Sequence, residues 1–406
     1  MSTTQSHIDI LDSIRGLAII GIVMYHYFVE WFGGSFLVVP EGVSANFSRL
    51  WLFGDGGGGV FGFALAFVKI FFSWFFVYGF AQVNVFLVLS GFVLTYSLLV
   101  KGGLGQMKKV SQWVSFYWKR LKRILIPFYI SVVIGMIFLF GRNILFPAFS
   151  GLPLFDLWDV GKILVVPFTF FDMQLLQRFN GDYWFIPLIL QLYLLFPLLF
   201  IALKKMGVVR FMVVTLGLTV LYRFFATYYL DSVPMGVLYP AKESYRLFSF
   251  FLPRLFEFTL GMGIGYLSFM NEKFLDGLMR MRWFLLGFGA TILGFVLLMY
   301  RWGWIFSDEM LGFGLFFLLM GFAYVLGKIG FARRFLRKAG ESAYENYLLH
   351  HYFLNYFLFA FLVASSLKGN ETVFWLVMPI YFVASFLLGR AGQFLSGWVE
   401  KVFIIK

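Results

Sequence analysis

The chain contains no cysteine, which excludes disulfides, thiolate metal sites, a cysteine nucleophile and lipidation through sulfur. Charge is also scarce. Asp, Glu, Lys and Arg make up 13% of 406 residues, against roughly a quarter in soluble domains, so water is not the solvent of most of this chain. Of four histidines only His350 and His351 are adjacent, and without H-E-x-x-H spacing no metal site is expected. The opening stretch to Leu11 lacks a basic n-region and an A-x-A cleavage site, so no removable signal peptide is expected. Low-complexity tails and proline-rich linkers are missing too, which leaves one membrane-embedded domain over residues 1–406 as the expected organisation.

What is present is apolar: 61% hydrophobic residues and 22% aromatics, 58 of them Phe. Apolar runs recur from Ile14 to Gly389, each long enough to cross a hydrocarbon core of about 30 Å. The expected fold is an all-α polytopic membrane protein of about ten transmembrane helices, near 14–32, 81–100, 124–140, 184–203, 211–229, 250–269, 283–300, 310–327, 343–364 and 373–391. With both termini cytoplasmic, the inside segments hold 22 of the 33 Lys and Arg, as the positive-inside rule requires. The net charge of +13 therefore reads as topology, and no nucleic-acid partner is expected.

The apolar stretch 60–78 would break this parity as a full span, so it is expected to be a re-entrant or interfacial helix on the outer face. The glycines at 56–59 before it lack the Gly-Lys-Ser/Thr ending of a phosphate loop. Gly261, Gly263 and Gly265 are expected to let helices approach closely.

Ionisable groups inside a span are costly and become functional candidates until paired off. His26 lies in the first span, with Arg15 at its cytoplasmic mouth. Eleven residues are about three helical turns and roughly 16.5 Å, so the two side chains share a face. An imidazole can accept a hydroxyl proton near neutral pH. The spacing suits a carrier with phosphates at the surface and a thioester at the tip of an arm. On the residues alone, a His26 hydrogen-bonded to backbone and an Arg15 that merely sets topology stand level with that reading.

Leu11-Asp12-Ser13-Ile14-Arg15-Gly16-Leu17-Ala18 followed by His26 resembles the opening of the family-3 membrane acyltransferases, in which a basic residue precedes a histidine by the same interval. Further stretches fit in order: Val83-Asn84-Val85 through Ser90-Gly91-Phe92, Arg120-Leu121-Lys122-Arg123-Ile124 with Pro127, and Tyr183-Trp184 through Phe196-Pro197. Arg254 to Phe258 before Gly261, and Ser342-Ala343-Tyr344 through Tyr347 to His350, complete the series.

The resemblance implies transfer of an acyl group, commonly acetyl, from cytoplasmic acyl-CoA to a hydroxyl of an extracytoplasmic glycan or glycolipid. It implies His26 as the catalytic residue, a base for direct transfer or a transient carrier of the acyl group, and Arg15, Arg120 and Arg123 as acyl-CoA contacts. Acyl-CoA is then a co-substrate, with no permanently bound cofactor, and the protein would sit in a bacterial inner membrane.

Two departures matter. Many members carry an aspartate where this chain has Asn84, and a glutamate in the fourth span where it has Ile189, Leu190 and Gln191. Asp182, Glu257, Asn84 and Gln191 are the groups left to orient the histidine, although Glu257 lies three residues from Arg254 and is expected to pair with it. Asp12, three before Arg15, is expected to cap or pair. Ser90, Asn84 and Tyr347 are candidate oxyanion donors, and Trp184 and His350 are expected near the cavity. Adjacent helical residues diverge by about 100°, so only one of His350 and His351 is expected to face it.

A polysaccharide or lipid-intermediate exporter is the alternative, though the halves show no paired repeat. Cations expected outside, among them Lys162, Arg178, Lys242, Arg246 and Arg301, leave room for an acidic acceptor.

Overall fold

A computed structural model describes residues 3–33, 37–53, 76–103, 109–146, 157–169, 179–240, 245–367 and 370–403. Among these there is no strand, only two isolated bridges, Val38 with Val237 and Glu41 with Tyr300. That is the outcome expected for apolar segments in lipid, where each must satisfy its own backbone. The long helices are α1 (Thr3–Phe32), α3 (Gln82–Val100), α4 (Val110–Leu145), α6 (Phe185–Met206), α7 (Val208–Tyr228), α8 (Leu255–Met270), α10 (Met281–Leu298), α11 (Ser307–Leu326), α13 (Ala343–Tyr352) and α15 (Glu371–Phe403). Shorter ones are α2 (Val43–Phe53), α5 (Leu157–Val165), α9 (Phe274–Leu278), α12 (Gly330–Glu341) and α14 (Phe359–Ala364).

Nine helical stretches among the described residues are long and apolar enough to cross a membrane, and all coincide with expected spans. The tenth expectation, 250–269, meets a shorter helix. Pro253 sits in a 3-10 turn, Leu252–Arg254, so regular helix begins only at Leu255 and runs 16 residues, roughly 24 Å. The stretch expected as a re-entrant helix, 60–78, lies outside the described residues apart from 76–78.

The helices form two compact units. The first comprises Met1–Val29, Gly33–Gly102 and Leu195–Gly340; the second comprises Glu30–Phe32, Gly103–Leu194 and Glu341–Lys406.

In the first unit α3 and α8 touch backbone to backbone. A Cβ on Gly261 would lie 1.8 Å from the Val88 carbonyl oxygen, and one on Gly91 would lie 2.0 Å from that of Phe258. The glycines at 261 and 265 therefore serve the close approach their spacing suggested, while Gly263 faces Val208 and Met212 of α7. α12 lies equally close on α1, since Cβ atoms at Gly16 and Gly340 would meet the carbonyls of Leu336 and Asp12.

In the second unit α13 packs against α4 and α15, with Gly135 under the Tyr352 ring and Gly389 against Asn346. A π-helical turn, Phe353–Leu358, follows α13 directly; such turns often mark functional positions. Burial separates two kinds of helix. The stretches containing α7 and α15 bury 22% of their apolar windows, whereas those of α1 and α13 bury 67% and 65%. The first kind suits contact with lipid, and the second carries the histidines.

Candidate active site

In the first unit, α1 runs unbroken through Arg15 and His26. The Arg15 guanidinium donates to the Asp12 carboxylate at 2.5 Å, with both side chains about one-fifth exposed (22% and 17%). This is the i, i+3 pair the spacing suggested. One turn earlier Asp9 faces Arg337 of α12 at 3.7 Å, so the basic helix is clasped to the start of α1. His26 is half-buried, its ring edge-on to Tyr25 at a centroid distance of 4.9 Å.

The same unit buries a polar cluster. The Arg223 guanidinium donates to Asp308 Oδ2 at 2.6 Å and to the Trp304 carbonyl, and lies 3.5 Å from Glu309. Arg254 reaches Asp308 at 2.9 Å and donates to Asn84 Oδ1 at 2.8 Å. Its expected partner Glu257 is farther, at 3.5 Å. All these charged side chains are no more than 4% exposed.

Two guanidinium groups thus face three carboxyls, and Asn84 enters as a neutral acceptor. An aspartate at 84 would add a fourth carboxyl to that surplus. Asn84 is engaged by Arg254 and Asp308, and Glu257 makes the pair with Arg254 that its spacing suggested. Ser90 stays half-buried on α3.

The second unit holds a cluster of another kind. Asp182 lies in the 3-10 turn Gly181–Trp184, and the Asn180 side chain accepts from its N–H at 3.0 Å. Asn180 in turn donates to the Leu348 carbonyl at 2.8 Å, and Tyr347 donates to the Asp182 carbonyl at 2.8 Å. With its backbone held at both ends, Asp182 places Oδ2 at 2.8 Å from His351 Nδ1 and 3.4 Å from His350 Nε2. His350 Nδ1 donates to the Asn346 carbonyl at 2.9 Å.

The two imidazoles are nearly parallel, 15° apart with centroids at 5.0 Å. Both reach the same carboxylate because it comes from a neighbouring turn and meets the step between the rings. Below, Tyr183 shares hydrogen bonds with Ser131 Oγ at 2.7 Å and with Tyr352. Trp184 is buried at 4% exposure, edge-on to Phe185.

The two arginines of the expected phosphate motif differ. Arg123 is exposed, whereas Arg120 lies 3.4 Å over the Phe116 ring and donates to that residue's carbonyl at 2.9 Å. Of the cations expected outside, Arg301 is held by Asp231 at 2.8 Å and Lys162 faces Asp159 at 3.8 Å. Neither offers an unmatched charge to an acidic acceptor. Arg178 and Lys242 lie outside the described residues, as does the side chain of Arg246.

Sequence reasoning missed Arg223, Asp308, Glu309 and His351. Arg223 carried a signal, being the one charge deep in its apolar run. Asp308 and Glu309 fell just before the expected start of their span.

A family model described as an acyltransferase domain, acyltransferase family 3, matches residues 8–389. No curated protein matches the chain, and no solved structure does.

Proposed function

The chain belongs to the acyltransferase family matched over residues 8–389, and from that premise we propose that it moves an acyl group from cytoplasmic acyl-CoA to a hydroxyl of an extracytoplasmic glycan or glycolipid. The observation that carries this reading is the continuous helix α1, which joins an arginine already oriented by Asp12 to a half-buried histidine three turns away.

In the proposed reaction Arg15 and Arg123 bind CoA phosphates through charge-assisted, bidentate bonds, and Arg120 holds another part of the donor. His26 takes the acceptor hydroxyl proton as its oxygen attacks the thioester carbonyl. A C–O bond forms, the C–S bond breaks, and CoA leaves as a thiolate that recovers the proton from His26. Asp182 is a positioning residue: a carboxylate bonded to Nδ1 fixes the tautomer and orientation of His351, so that its Nε2 can hold or pass a proton. We place the protein in a bacterial inner membrane.

The test is acyl-CoA turnover by purified protein in lipid vesicles. His26→Ala is expected to lose about 10²–10⁴ of the rate, and Arg15→Gln to raise KM for acyl-CoA with a smaller change in kcat. A folded preparation that neither binds nor consumes acyl-CoA would contradict the reading and favour export of a glycan intermediate.

A further inference from the structure

Within the second unit, α4 and α6 each turn one stripe toward a common cavity of about 350 Å3. Tyr117, Arg120 and Leu121 come from α4 at i, i+3 and i+4; Pro187, Leu190, Gln191 and Leu194 come from α6 at i, i+3, i+4 and i+7, with Tyr193 beside them. Pro167 and Phe168, in the turn that follows α5, complete the wall.

Four lining side chains carry polar groups, Tyr117, Arg120, Gln191 and Tyr193, and Tyr117 is already committed, donating to the Leu194 carbonyl at 3.3 Å. Arg120 is flat against Phe116, and its Nε–H has no hydrogen-bond partner among the described residues. The volume is at the lower end of the roughly 300–1,000 Å3 typical of drug-sized ligands. An acetyl group would leave most of it empty.

We propose that this cavity receives the acyl chain of the donor, and that the chain transferred is longer than acetyl. The inference rests on the acyl-CoA reading above. What selects this occupant is the division within the arginine pair. Arg123 is exposed and suits phosphate, whereas Arg120 presents an N–H edge to an apolar space, where neutral carbonyls of the thioester or of the pantetheine arm fit. A hydrocarbon tail then covers Leu121, Phe168, Leu190 and Leu194.

Each methylene moved from water into such walls is worth about fourfold in affinity, an increment a two-carbon donor cannot collect.

The test measures kcat/KM for acetyl-, butanoyl-, hexanoyl- and octanoyl-CoA with the full-length protein in vesicles. Wild type is expected to gain about fourfold per methylene up to hexanoyl. Leu190→Trp, which fills the cavity, is expected to lower the octanoyl-to-acetyl ratio at least tenfold, and Leu190→Ala, which enlarges it, to move the optimum to longer chains. A flat or falling wild-type series overturns the inference, as does a wild-type ratio retained in both variants. Failure to turn over any chain length, acetyl included, overturns the donor reading itself, and the inference falls with it.

Discussion

Among the described residues each unit buries a cluster of ionisable side chains, and the two are built differently. In the first unit the charges are permanent partners. Arg223 and Arg254 grip Asp308 from two helices, with Trp304 and Asn84 accepting further N–H bonds. In the second unit a single carboxylate, Asp182, serves two imidazoles.

A guanidinium holds its proton at any accessible pH, so Arg223 and Arg254 fix charge in the bundle rather than move it. An imidazole oriented by a carboxylate is the arrangement that acid–base chemistry uses. Intramembrane charge alone therefore does not mark a reactive centre. What distinguishes the two clusters is the partner of the carboxyls: guanidinium groups in the first, imidazoles in the second.

Three substitutions sharpen that contrast, and the largest effect is expected in the closed cluster. Asp308→Ala leaves two buried guanidinium groups short of their shared carboxylate and is expected to cost about 3–5 kcal/mol of stability. Thermal denaturation in detergent should show this as a large fall in Tm or a loss of folded protein. Unchanged stability would remove the strut from the account.

Asp182→Asn keeps the shape but loses the carboxylate. Turnover is expected to fall about 100-fold, equivalent to roughly 2.7 kcal/mol in the barrier, with Tm shifted far less than by Asp308→Ala. Equal losses of stability in the two variants would erase the distinction.

The smallest effect is expected from Tyr347→Phe, which removes the bond to the Asp182 carbonyl. Its cost should be about 1 kcal/mol, read as a less than tenfold drop in kcat with KM for acyl-CoA unchanged.

The helical architecture was legible because a bilayer-long apolar run has few alternatives, and nine such runs reappear as helices in place. The exception, α8, was displaced at its start by Pro253, whose missing N–H favours a turn before regular helix. The local pair Asp12 with Arg15 was legible too, because one turn of helix sets its distance. The clusters were not.

Asp308 stands 224 residues from Asn84, and Asp182 stands 169 from His351. No periodicity links positions so far apart. The expected pair of Arg254 and Glu257 forms at 3.5 Å, yet the closer partner of Arg254, Asp308, comes from another helix. His351 was passed over because helical divergence was reckoned from its own helix, whereas the carboxylate that joins it to His350 comes from elsewhere.

The central claim, that acyl groups from one side of the membrane are transferred, with His26 as base, to an acceptor on the other, is tested most directly with oriented membrane vesicles and impermeant, radiolabelled acyl-CoA. Label is expected in the glycan or glycolipid fraction of inside-out vesicles carrying the wild-type protein, and in neither right-side-out vesicles nor inside-out vesicles carrying His26→Ala. Incorporation in right-side-out vesicles, or undiminished incorporation with His26→Ala, would contradict the account.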